Sequence, residues 1–205
     1  MSDISPQLVR ELREKTNAGM MDCKRALAES GGDMAKAEDL LRAKGIASAG
    51  KKASRSAKEG IVASYIHLQG KVGVLVEVNC ETDFVAKNEN FREFVKDITL
   101  HIAAANPTCV SREQVDPSEI EREKAIYRQQ VEGKPANIVE KIVDGKVDKF
   151  YGTICLMEQP FIKNPDVTIA DLVKSKISEL GENIVIRRFT RYMVGEGVTD
   201  EPSAE

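Results

Sequence analysis

The spacing of apolar residues changes character along the chain, and the changes divide it. Ser5-Pro6 reads as an N-cap followed by a proline at the first helical position, after which Leu8, Val9 and Leu12 recur at helical spacing. The stretch TNAGM breaks this helix. Met20, Met21, Cys23, Ala26 and Leu27 then line a second helix, and GGD breaks again. Asp33 suits the N-cap of a third helix, whose stripe is Ala37, Leu40 and Leu41 and which Gly45 closes. Residues 1–45 are therefore expected to form a three-helix bundle with little core of its own, a size and shape suited to binding peptides or proteins.

Residues 46–60 hold one large apolar residue, Ile46, beside Lys51, Lys52, Arg55 and Lys58. They read as a solvated basic linker, or alternatively as a phosphate-binding patch. From Ile61 the period becomes that of strands. IVASYIHLQGKVGVLVEVNC predicts a hairpin turning at Gln69-Gly70-Lys71. Next comes NCETDFVAKNEN (79–90), a polar stretch with Phe84 at its centre. Phe91, Phe94, Val95, Ile98, Ile102 and Ala105 then share one face of a strong amphipathic helix that Asn106-Pro107 stops.

Pro117 and Pro135 open two further helices with charged outer faces. TICLMEQPFI (153–162) reads as a strand, TIADLVKSKISEL as a helix capped by Thr168, and NIVIRRFTRYMV as a last strand. The expected fold class is α+β: the helical bundle is followed, over residues 61–197, by an antiparallel sheet packed with helices on one face. Residues 198–205 read as a disordered polar tail.

Composition narrows the function. Of 205 residues, 41% are apolar and 31% charged, as in a soluble folded protein, and no apolar run approaches the roughly 20 residues of a membrane span. Aromatic residues make up 5%, Trp is absent and the net charge is −3, so direct nucleic-acid binding is not expected. The N-terminus resembles neither a signal nor a transit peptide. The four cysteines are scattered, which fits reduced thiols and a cytoplasmic location.

Catalytic chemistry finds no candidates. His67 lies in a strand, and His101 sits at the edge of an apolar helix face, where packing is the simpler role. No Cys/His/Asp/Glu cluster has metal spacing, and the glycine-rich phosphate loops and the nucleophile elbow are missing. The carboxylates sit beside lysines and arginines on helix faces. Neither an enzyme nor a cofactor is expected.

Two motifs, in order, carry a resemblance. LVRELREKTNAGMMDCKRAL (8–27) and VEVNCETDFVAKNENF (76–91) are similar to the two signature stretches of the bacterial-type elongation factor Ts family. HIAAANP (101–107), GKPANIVEKIVDGKVDKF (133–150), QPFIKNP (159–165) and VGEG (194–197) extend it to Gly197. Asn17 stands where the family usually has Gly, and it tolerates the same positive φ. Glu81 stands where Gln is also common. Longer members carry a second sheet subdomain, a coiled-coil insertion and a C-terminal helix. This chain shows no heptad stretch and resembles the short, single-subdomain form.

The resemblance implies a UBA-like N-terminal bundle and guanine-nucleotide exchange on elongation factor Tu, bound both with GDP and without nucleotide. It implies that Thr82, Asp83, Phe84 and Val85 dislodge the Mg²⁺ held by that partner, with the Phe84 ring as a wedge. Asp83 reads as a cap of the next turn that also repels a phosphate or recruits a polar partner. Leu12, Met20, Met21 and His67 are implied in docking. The other reading of Phe84 is a core residue tucked under its own domain. The other reading of Leu12 is packing among the three helices, whereas Met20 and Met21 cannot both face one small core. A homodimer through the sheet is expected for the short form. The competing function is an RNA-associated protein that uses the basic linker and RRFTR (187–191).

Overall fold

The computed structural model describes residues 4–16, 18–131, 133 and 135–198. Asn17 and the expected tail from residue 199 onward lie outside the described residues. The chain combines helices with antiparallel sheet, and the N-terminal helices precede the strands, as its hydrophobic pattern predicts. It divides into two compact units. The first takes in the chain through Ile61 together with 79–94 and 170–185; the second comprises Val62–Val78, Val95–Ile169 and the chain from Ile186.

The first unit opens with α1 (Pro6–Thr16), α2 (Met20–Glu29) and α3 (Met34–Lys52). Val9, Leu12, Cys23, Ala26, Leu27, Ala37 and Leu41 form its buried cluster. Gly31 and Gly32, at φ 65° and 89°, make the left-handed turn between α2 and α3 that side chains would resist. Asp33 caps α3 by accepting from the Lys36 amide at 3.1 Å.

Gly45 does not close α3, contrary to the expectation. The helix runs through it to Lys52, so the first half of the expected linker is helical. A Cβ at Gly45 would lie 3.0 Å from Ser178 Oγ, on α8 (Ile169–Leu180) of the same unit. This glycine serves close packing rather than termination.

A three-stranded sheet, in the order β1 (Glu59–His67), β2 (Val72–Cys80), β5 (Val185–Met193), organises the second unit. The β1–β2 turn passes through Leu68, Gln69 and Gly70 at positive φ. Val194 N donates to Lys71 O at 2.9 Å and Arg188 pairs with Glu77 at 2.7 Å, which sets β5 antiparallel to β2. Val72, Val74, Val76 and Val78 alternate into the core, whereas Leu75, between them, is exposed. Helix α5 (Glu89–Ala105) buries Phe91, Phe94, Val95, Ile98 and Ile102, and Asn106, at φ 49°, ends it before Pro107.

Of the two remaining regions, one matches the sequence reading and one departs from it. Helices α6 (Pro117–Gln130) and α7 (Ala136–Ile154) form a hairpin around Ile120, Val131, Val143 and Val147, with Tyr127, Val139 and Phe150 packed against them. Both helices are expected from Pro117 and Pro135, and their few apolar positions make no sustained heptad. The strand expected over 153–162 is corrected too. Thr153 and Ile154 finish α7, residues 156–158 form a 3₁₀ turn, and only Pro160–Phe161 is strand (β3), paired with β4 (Asn164–Thr168). A run buried on every side has no period by which strand and helix end can be told apart.

Candidate partner-binding site

The polar stretch after β2 folds into α4 (Asp83–Lys87), one and a half turns long. So short a helix cannot hold itself in water. Its N-cap is Thr82, whose Oγ1 accepts from the Val85 amide at 3.4 Å. The capping role expected of Asp83 therefore belongs to its neighbour. Asp83 instead pairs with Lys87 one turn on, at 2.7 Å, and that hydrogen bond holds its carboxyl below the usual value. Ala86 is buried and Val85 half-buried, so one side of α4 is seated. Phe84 is on the other: 81% of it is exposed, and the core reading of this ring is excluded.

The segment ahead of α4 is tied down on both sides. Glu81 N and Thr82 N donate to Glu182 Oε2, each at 3.0 Å, and Thr82 Oγ1 donates to Glu182 Oε1 at 2.6 Å. In return Asn183 N donates to Glu81 Oε1 at 2.6 Å, and Arg55 lies 3.5 Å from the same oxygen. Asn183 is buried and donates through Nδ2 to Ala53 O and Arg55 O, at 3.3 and 2.8 Å. Cys80 Sγ donates to Thr82 O at 3.2 Å; burial, with the Glu182 charge adding, pushes this thiol up to about 11. Sequence reasoning missed Glu182 and Asn183. Nothing local marks them, because their partners lie about a hundred positions away.

The residues expected to dock separate by burial. Met20 and Met21 are 42% and 66% exposed at the start of α2. Leu12 has no exposed surface and is enclosed by the bundle, so its expected contact with a partner is corrected: its side chain holds the bundle together. His67 belongs to the second unit. It is exposed at the end of β1, stacked on Tyr65 with its Nδ1 2.9 Å from the phenol oxygen.

Other chemistry finds little to work with. Among the described residues no group of three His, Cys, Asp or Glu could hold a metal, and no helix is long and apolar enough to cross a membrane. In RRFTR, Arg188 is paired with Glu77, while Arg191 donates to Ala103 O at 3.4 Å and lies 3.7 Å from Glu196. These two arginines are engaged within the chain.

Residues 48–196 match the family described as Elongation factor TS. The elongation factor Ts of Alkaliphilus oremlandii (strain OhILAs) is 61% identical over 198 residues, which cover 96% of this chain and 91% of that one. Those of Geotalea daltonii and Carboxydothermus hydrogenoformans are each 59% identical, covering 98% and 95% of this chain and 94% and 91% of theirs. Matches of this depth and extent take in both signature stretches and the segment that carries Phe84. The chain belongs to the elongation factor Ts family of translation elongation factors.

Proposed function

We propose that the protein is a guanine-nucleotide exchange factor for elongation factor Tu, engaging both the GDP-bound and the nucleotide-free partner. The observation that carries this reading is the exposure of Phe84 on a short helix whose approach is fixed from both sides. An aromatic ring held out in water on a fixed support suits insertion into another protein as an anchor. Much of a guanine nucleotide's affinity resides in phosphates held by backbone amides, a lysine and Mg²⁺. Wedging apart the elements that hold the metal leaves the phosphate oxygens poorly compensated, and the nucleotide departs faster. In this reading Thr82, Asp83, Phe84 and Val85 act on the partner's Mg²⁺ site. No bond of a substrate is made or broken and no cofactor of the protein's own takes part.

The bundle at 1–45 docks through Met20 and Met21, whose flexible thioethers suit an adaptable contact, and His67 contributes from the 61–197 region. The protein works in the cytoplasm. A second copy covers the outer face of the sheet, where Val62, Ile66, Leu75 and Tyr192 are exposed. The decisive measurement is release of a fluorescent GDP from elongation factor Tu with and without this protein. Acceleration that saturates with concentration is expected, and an unchanged release rate would overturn the reading.

A further inference from the structure

We propose that Glu182 is a positioning residue for nucleotide exchange: its carboxylate sets the direction in which α4 presents Phe84. The inference rests on the exchange reading above and adds a residue outside the 82–85 stretch. It starts from what Phe84 lacks. With 81% of its surface exposed, the ring has almost no contacts to orient it, so its placement is that of the α4 backbone. That backbone is one and a half turns long and follows directly on an exposed threonine.

What defines the start of α4 is the Thr82 hydroxyl. It accepts from Val85 N within the helix while donating to Glu182 Oε1 outside it. The other carboxylate oxygen takes the amides of Glu81 and Thr82. Three hydrogen bonds to one carboxylate, the shortest from the Thr82 hydroxyl at 2.6 Å, fix the two residues before the helix and aim the cap. The crossed arrangement, with Glu81 reaching the backbone of Asn183 while Glu182 reaches the backbone of Glu81 and Thr82, keeps the two segments in register. Asn183, tied to Ala53 O and Arg55 O, anchors this pair to the turn after α3.

Displacing a reacting or inserting group by about 1 Å can cost on the order of a hundredfold in rate. Loss of the carboxylate is therefore expected to lower the saturating rate of exchange more than it weakens docking. Four variants of the full chain test this: Glu182→Ala, Glu182→Gln, Thr82→Val and Phe84→Ala. They are compared by saturating rate and half-saturating concentration for stimulated GDP release, by amide hydrogen exchange at residues 81–85 and by melting. Glu182→Ala is expected to lower the saturating rate about tenfold or more, with a half-saturating concentration within about threefold of the parent. Amide exchange at 81 and 82 should rise. Glu182→Gln keeps an oxygen for the two amides and should recover most of the rate.

Thr82→Val removes the hydroxyl link to Glu182 together with the N-cap of α4 and leaves the two amide bonds to Glu182 in place. It carries the test if Glu182→Ala fails to fold, and a lowered saturating rate with raised amide exchange at 81–85 is expected. A parental rate for Glu182→Ala, or for Thr82→Val in its place, beside a slow Phe84→Ala would overturn the positioning role and leave the exchange site standing. A parental rate for Phe84→Ala would instead overturn the site. The role of Glu182 would then stand or fall on the amides alone, with unchanged protection at 81–85 overturning it.

Discussion

His101 donates through Nε2 to Gln159 Oε1 at 3.0 Å inside the second unit, while its Nδ1 accepts from the Ile162 amide at 3.3 Å. Gln159 in turn donates to Thr153 O at 2.6 Å, so the imidazole is the neutral Nε2–H tautomer with both nitrogens engaged. Burial pushes its pKa below the ordinary 6.5, the Gln159 hydrogen bond opposing only in part. A depressed histidine binds fewer protons folded than unfolded. Its contribution to stability is thus complete above about pH 6.5, is lost as pH falls through that value, and stops changing below the folded pKa. Melting between pH 7.5 and 5 should show an extra slope of at most about 1.4 kcal/mol per pH unit. His101→Gln should remove that slope; an identical slope in the variant would assign it to other groups.

Phe84→Ala should leave the melting temperature unchanged, because an exposed ring contributes little to its own fold. Truncating a ring that is buried in a partner costs roughly 3 kcal/mol, or about two decades in the rate of stimulated GDP release. A variant that folds normally and works at the parental rate would sink the wedge mechanism.

Met20 and Met21 differ from Leu12 in a way that a paired experiment can read. Replacing both methionines by alanine should raise the half-saturating concentration about tenfold, a loss of about 1.4 kcal/mol, with melting near that of the parent. Leu12→Ala should instead destabilise the bundle by about 2–5 kcal/mol, because its side chain is fully enclosed. The docking role fails if the methionine variant binds like the parent.

Ile66→Glu combined with Leu75→Glu places charge on the exposed face of the sheet without touching the buried valines of β2. Sedimentation at micromolar concentration should give a dimer for the parent and a monomer for the variant. A monomeric parent with full exchange activity would refute pairing through this face.

The parts legible in the sequence were those with a period. The stripe Phe91, Phe94, Val95, Ile98 and Ile102, the alternating valines of β2, the cap at Asp33 and the helix-opening Pro117 all act over a few residues, and all appear where expected. Gly45 was misread because a glycine that ends a helix and one that lets another helix approach look alike until Ser178 is in place. Phe84 was visible as an anomaly, yet only its exposure rules out the core. Glu182 and Asn183 were invisible, since a hydrogen bond to a residue a hundred positions away leaves no local trace.

That separation has a consequence during synthesis. Glu182 leaves the ribosome a hundred residues after Thr82, which at about 5–20 residues per second is a delay of roughly 5–20 s. Through that interval the α4 segment has only its threonine cap and the Asp83–Lys87 pair to draw on, too little to hold so short a helix. A nascent chain therefore carries its phenylalanine long before the carboxylate that fixes the segment ahead of it exists, and on the reading proposed above it gains competence for exchange only once the chain beyond α8 has emerged.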